Sequence, residues 1–109
     1  TDPEIATVGL TEEEARLKGV PIRSGRYVMD VNGQSIISKE EQGVIKILFA
    51  ADSDVILGAQ LMCPRATDMI GELATAIANG LTSAQLMYAM RAHPTYNEAI
   101  SCAVENSRR

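Results

Sequence analysis

Gly43-Val44-Ile45-Lys46-Ile47-Leu48-Phe49-Ala50 and Val55-Ile56-Leu57-Gly58-Ala59-Gln60-Leu61-Met62, joined by Ala51-Asp52-Ser53-Asp54, form the stretch on which the fold turns. Both runs are apolar with β-branched residues, and the polar tetrapeptide between them has the length of a hairpin loop. In the first run Ile45, Ile47 and Phe49 share one face, while Val44, Lys46 and Leu48 share the other. In the second, Val55, Leu57, Ala59 and Leu61 alternate with Ile56, Gly58, Gln60 and Met62, since successive strand residues point to opposite faces. Apolar groups fall on both faces of each strand, which predicts a sheet covered at least in part on both sides.

Working outward toward the N-terminus, Ile5 to Gly9 reads as a short strand. Thr11-Glu12-Glu13-Glu14 has the capping-box spacing and opens a helix through about Lys18. Gly19 ends that helix and Pro21 forbids its continuation. Arg26 to Val31 is β-prone, and Asn32-Gly33 follows as a turn signal. Beyond Pro64 the period changes: Met69, Ile70, Leu73, Ala74, Ile77 and Ala78 recur at helical spacing, with Gly80 placed to end the helix. Thr82-Ser83-Ala84-Gln85 is a second capping-box pattern, opening a short helix with Leu86, Met87 and Met90 on its apolar side. A last helix is expected from near Thr95 to about Glu105, burying Ala99, Ile100, Ala103 and Val104. Strands come first and helices later, which indicates an α+β fold with an antiparallel sheet, one domain over residues 1–109.

At 109 residues the chain can bury one core but is too short to enclose a dinucleotide cofactor as well. Net charge is −4 and the ten Lys and Arg are scattered, which argues against nucleic acid and against an anionic membrane surface. No apolar run approaches the roughly 20 residues that span a bilayer. Cys63 and Cys102 lie far apart and, with one histidine, make no zinc pattern, so no metal site is expected. They read as small buried hydrophobes in a reducing, cytoplasmic compartment. No Gly-x-Gly-x-x-Gly follows a strand, and no closely spaced cysteine pair could serve as a redox disulfide. Met62, Met69, Met87 and Met90 with Ile70, Leu73, Ile77, Leu86 and Ile100 are an apolar surplus. Either they fill the core or they extend it across a subunit boundary. Thr1-Asp2-Pro3-Glu4, with no initiator methionine before an apolar stretch, looks like a cut within a longer polypeptide.

Chemistry concentrates in Arg91-Ala92-His93-Pro94-Thr95-Tyr96-Asn97-Glu98, which holds the single histidine. Histidine titrates near neutrality and can both take and give a proton. A glutamate on one ring nitrogen would fix the tautomer and raise the basicity of the other. Two plainer readings compete. A lone histidine beside a proline is more often a partly exposed or core residue without a special role. Glu98 could instead reach back to the Thr95 N–H as the last member of a capping box.

Four segments in this order resemble the C-terminal dimerisation domain of flavoprotein disulfide reductases, the dihydrolipoamide dehydrogenase family above all. They are Thr1 to Ala15, Gly43-Val44-Ile45-Lys46-Ile47, Ile56-Leu57-Gly58-Ala59, and Ala92-His93-Pro94-Thr95 with Glu98. The resemblance implies an antiparallel sheet packed with helices, and a homodimer held by pairs of such domains. The active site would form across the interface, with the flavin and a redox-active cysteine pair in one subunit and the His–Glu pair from the other. His93 would be the general acid–base that takes a proton from a dithiol, and Glu98 would orient its imidazole. The main chain at His93 and Pro94, joined by a cis peptide, would lie beside the partner's flavin.

FAD and NAD are thus implied for the intact enzyme, with none bound by the fragment alone, which is expected to be inactive and to self-associate. A lipoyl-bearing acyltransferase component of a 2-oxoacid dehydrogenase complex is the partner the resemblance implies. Arg91 stands where these enzymes commonly have a further histidine, and Tyr96-Asn97 replaces a more usual aliphatic and small pair. Both departures bear on the wall of the substrate channel. Glutathione reductase and its relatives also carry His-Pro-Thr followed by a glutamate, although Ala92 and the opening segment favour the lipoamide branch. A pure assembly module that no longer uses the histidine is the reading from a different functional class.

Overall fold

A computed structural model describes residues 4–30, 42–63, 66–92 and 98–108. The elements run β1 (Glu4–Gly9), α1 (Glu12–Leu17), β2 (Ile22–Asp30), β3 (Gln42–Ala50), β4 (Ile56–Cys63), α2 (Ala66–Ala78), α3 (Ser83–Ala92) and α4 (Glu98–Ser107). Among the described residues the strands form one antiparallel sheet in the order β1-β4-β3-β2. The α+β class expected from the sequence is the one observed. The turn expected at Asn32-Gly33 lies outside the described residues.

The central hairpin forms as its alternation predicts. Ile45, Ile47 and Phe49 are fully buried on one face, in line with Leu61, Ala59 and Ile56 of β4. Tyr27 continues that row into β2, and Ala6 and Val8 continue it into β1. Helices cover this face, α2 over β1 and β4 and α4 over β2 and β3, with α3 packed on α4. Leu73, Leu86, Ile100, Ala103 and Val104 close the core from the helical side. The apolar surplus is therefore mostly core: Met69, Ile70, Ile77 and Met87 are half-buried against it, whereas Met62 is 38% exposed on the opposite face. The Met90 side chain lies outside the described ones.

Three details depart from the alternation read along the chain. β2 starts at Ile22, four residues before the expected Arg26, because Ile22 to Gly25 pair with Ala50 to Ile47. Val55 makes only an isolated bridge to Thr82 and lies outside β4. A register shift between Leu48 and Phe49 pairs Leu48 with Gly58 but Phe49 with Ile56. Leu57 is skipped, so Ile56 turns to the buried face instead of joining Gly58, Gln60 and Met62.

The bulge has a use. Gly9 adopts φ +71°, which only glycine enters cheaply, and turns the chain back over β4. There the Leu10 N–H donates to the Leu57 carbonyl at 2.9 Å. The Leu10 backbone lies so close over Gly58 that a Cβ there would meet its carbonyl oxygen at 1.9 Å. Helix α1 follows, capped as predicted by reciprocal Thr11 and Glu14 bonds. The Thr11 N–H, with its hydroxyl, holds the Glu14 carboxyl below the usual range. Glu12 pairs with Lys46 on the outer sheet face. At that end Leu48 and Ala15 are buried, while at the other end Ile5, Val28 and Met62 remain exposed. The sheet is thus covered on both sides only at one end.

Candidate functional site

The candidate histidine lies in sequence between two helices. α3 ends at Ala92 and α4 begins at Glu98, so His93, Pro94, Thr95, Tyr96 and Asn97 are the five residues between them. Those five lie outside the described residues, as do the side chains of Arg91 and Glu98. Glu98 opens α4, and Thr95, expected to start that helix, is among the residues not described. The helix ends at Ser107, two residues beyond the expected Glu105.

What the structure does describe is how the two flanking helices are held. Thr82 and Gln85 cap α3 reciprocally, the Thr82 N–H donating to Gln85 Oε1 at 2.9 Å and the Gln85 N–H to Thr82 Oγ1 at 3.2 Å. Leu86 is buried beneath α3. Helix α4 lies directly on β2 at Gly25, where a Cβ would come within 1.9 Å of the Ala103 carbonyl oxygen. Asn106 Nδ2 donates to the Arg26 carbonyl at 2.8 Å, fixing the same helix along the strand.

A polar cluster sits at the opposite ends of these helices. Asp54 accepts from the Arg23 guanidinium, from the Ser83 hydroxyl at 2.6 Å and from the Ser83 N–H at 3.0 Å. Arg108 Nη1 donates to Ser83 Oγ at 3.2 Å. Partial burial alone would push the Asp54 carboxyl up, but the Ser83 and Arg23 hydrogen bonds outweigh it and leave the carboxyl below its ordinary range. The Arg23 guanidinium lies over the Phe49 ring, 5.6 Å from its centroid. Sequence reading named Asp54 only as part of a loop and Ser83 only inside a capping pattern, and singled out none of the four for this cluster. Asp54 read as one polar loop position among four, and the signal that it differs, a positive φ of 65°, is a backbone property.

Cys63 is buried as expected, but Cys102 is only half-buried, because it lies on α4 beside the half-exposed Ser101 and not among Ile100, Ala103 and Val104. Among the described residues no group of three or more His, Cys, Asp or Glu could hold a metal ion, and no helix is long and apolar enough to cross a membrane.

This architecture, an antiparallel sheet with its helices gathered chiefly on one face, is that of a flavoprotein disulfide reductase domain. LpdA from Mycobacterium tuberculosis superposes with a TM-score of 0.77 at 26% identity, over 96% of this chain and 23% of that one. The Cu(II) complex of the HOCl-induced flavoprotein disulfide reductase RclA from Escherichia coli superposes with a TM-score of 0.72 at 26% identity, over 94% of this chain and 23% of that one. The chain belongs to the pyridine nucleotide-disulphide oxidoreductase dimerisation-domain family, whose sequence model matches residues 1–104. Within it, dihydrolipoyl dehydrogenase 3 of Haloarcula marismortui is 35% identical over 108 residues, which is 99% of this chain and 23% of the relative. The chain thus spans about a quarter of the length of the curated relatives it matches.

Proposed function

We propose that this chain is the dimerisation domain of an FAD-dependent, NAD-linked dihydrolipoamide dehydrogenase and supplies His93 and Glu98 to the active site of the partner subunit. The observation that carries the reading is the 35% identity to a dihydrolipoyl dehydrogenase along nearly the whole chain. His93-Pro94-Thr95 and Glu98 accompany it, in sequence between α3 and α4, of which α4 lies on the sheet and α3 packs on α4.

The dinucleotides belong to other parts of such an enzyme. Among the described residues every strand pairing is antiparallel, so there is no parallel strand–helix–strand unit in which a dinucleotide fingerprint could sit. These residues do not fit FAD or NAD, and the isolated domain would be inactive.

In this reading His93 removes the proton from one thiol of a dithiol substrate. The resulting thiolate attacks one sulfur of a disulfide, forming a mixed disulfide as the original S–S bond breaks and the other sulfur leaves as thiolate. His93, now an imidazolium, stabilises that leaving thiolate. Glu98 accepts a hydrogen bond from the far ring nitrogen and stabilises the imidazolium. A second copy of the chain and a lipoyl-bearing acyltransferase component are the partners this function requires. Placement in the cytoplasm and a domain spanning residues 1–109 of a longer polypeptide belong to the same proposal.

The test uses the intact parent polypeptide and compares dihydrolipoamide oxidation by NAD with glutathione disulfide reduction by NADH, for the parent sequence and His93→Gln. Dihydrolipoamide turnover that falls at least a hundredfold in the variant, with flavin retained, supports both the branch and the residue. Turnover indifferent to the change would leave a pure assembly module. Activity with glutathione alone would move the substrate to the glutathione-type branch.

A further inference from the structure

The cluster around Asp54 joins three parts of the fold that are remote in sequence. Asp54 is the sole non-glycine among the described residues with a positive φ, 65°. Aspartate tolerates that conformation better than most residues but still at some cost, and such strain persists where surrounding bonds over-determine it. Here the bonds are visible. The carboxylate takes the Arg23 guanidinium from β2 and both the hydroxyl and the N–H of Ser83 at the first residue of α3. The Ser83 N–H is shared with the Asp54 carbonyl at 3.1 Å, and Ile56 N–H donates to the Leu81 carbonyl at 2.8 Å. Ser83 is 1% exposed and accepts Arg108 Nη1, from the residue just past α4.

The far ends of α3 and α4 are thereby tied to each other and to the β3–β4 turn. Their near ends are Ala92 and Glu98, with His93 between. Helix α3 has ten residues, so the anchor stands about 15 Å from that junction. Over such a lever a tilt of about 4° moves the junction by about 1 Å, and a misplacement of that size can cost about a hundredfold in rate.

We propose that Asp54 is a positioning residue: through Ser83, with Arg23 and Arg108 as supports, it sets the tilt of the α3–α4 pair and so the placement of His93 in the partner's active site. The inference rests on the catalytic reading of His93 above. It makes the polar turn part of the site's geometry, not merely of its stability.

The experiment uses the intact parent holoenzyme carrying Asp54→Gly, Asp54→Asn, Ser83→Ala and His93→Gln, with Asp52→Ala on the same loop as control. Two rates are measured per bound flavin, well below the unfolding temperature of each variant: dihydrolipoamide-dependent NAD reduction, and NADH-dependent ferricyanide reduction, which draws electrons from the flavin and needs no thiol chemistry. Asp54→Gly keeps the backbone conformation and removes the carboxylate. It is expected to lower kcat for dihydrolipoamide about 10- to 100-fold, with KM within threefold and ferricyanide reduction within twofold of the parent. Asp54→Asn keeps an acceptor for Ser83 and is expected to recover most of the loss. Ser83→Ala is expected to lower kcat about tenfold, and it decides the matter if Asp54→Gly does not fold.

A folded Asp54→Gly or Ser83→Ala enzyme with dihydrolipoamide turnover within twofold of the parent overturns the proposal, whatever its thermal stability. An equal loss in both rates also overturns it, since that marks general damage. If His93→Gln is itself silent, the catalytic reading fails and the positioning role with it. If His93→Gln is slow while the anchor variants are not, only the positioning role fails.

Discussion

Replacing Gly25 with alanine tests where α4 lies. A Cβ at Gly25 would stand 1.9 Å from the Ala103 carbonyl oxygen, 2.6 Å from the Ser107 nitrogen and 2.7 Å from the Ser107 Cβ. All three atoms belong to α4, and two of them are backbone, so no side-chain rotation relieves the clash. Real Cβ contacts essentially never fall below 3.0 Å, so the helix must retreat from β2 by at least about 1 Å. Overpacking of this kind costs about 1–3 kcal/mol by itself. A gap of about 1 Å also forfeits a quarter to a half of the dispersion attraction along the surfaces that part. Those surfaces carry Ile100, Ala103 and Val104, all buried. With about 1.5–3 kcal/mol for burying each larger side chain, the added loss is about 1–2 kcal/mol. The expected total is about 3 kcal/mol, which for a chain of this size lowers Tm by about 12 °C or more. Thermal and urea unfolding followed by circular dichroism would measure it. The sign decides, because alanine in a strand with nothing above it is mildly favourable, by about 0.4–1 kcal/mol through the unfolded chain. A Gly25→Ala midpoint equal to or above the parent's would refute the packing of α4 on β2.

Other outcomes follow from the same contacts. Gly71→Ala, on the exposed side of α2 with nothing within 4 Å of its Cβ position, is expected to stabilise by about 0.5–1 kcal/mol in the same unfolding experiment. Thr82→Ala removes the side-chain acceptor for the Gln85 N–H and should cost about 1 kcal/mol. Asp54 has a carboxyl held below its ordinary 3.8 by Ser83 and Arg23 against the opposing effect of burial. Its stabilisation is therefore complete above that value and lost as pH falls below it through the folded-state pKa. Asp54→Asn should flatten this part of an acid unfolding curve while leaving the neutral side unchanged in shape, and an unaltered acid limb would contradict the assigned bonds.

The proposed site is unevenly written in the chain. His93, Pro94 and Glu98 are visible in the chain by residue type and by a helix start signal, and the resemblance to the disulfide reductases is what points them to acid–base chemistry. Their supports do not stand out. Arg23 and Asp54 are 31 positions apart, and Asp54 and Ser83 are 29 apart, so the bonds joining them exist only once β2, the β3–β4 turn and α3 have met. Likewise Gly25 falls outside the strand expected from Arg26, and its purpose appears only when α4 crosses it.

Local features were settled by the chain itself. The alternation of Ile45, Ile47 and Phe49, the Thr11–Glu14 and Thr82–Gln85 caps, and the glycine ends of α1 and α2 depend on periods and bonds spanning a few residues. Gly19 and Gly80 both take the left-handed conformation that only glycine enters freely, so their positions were legible in advance. Tertiary structure alone decided the strand order, the bulge that turns Ile56 inward, the early start of β2 and the division of the outer face into a covered and an open end. Each of these is a contest between distant segments for the same surface or hydrogen bonds, and its outcome depends on which partners arrive together, not on any one segment's own preference.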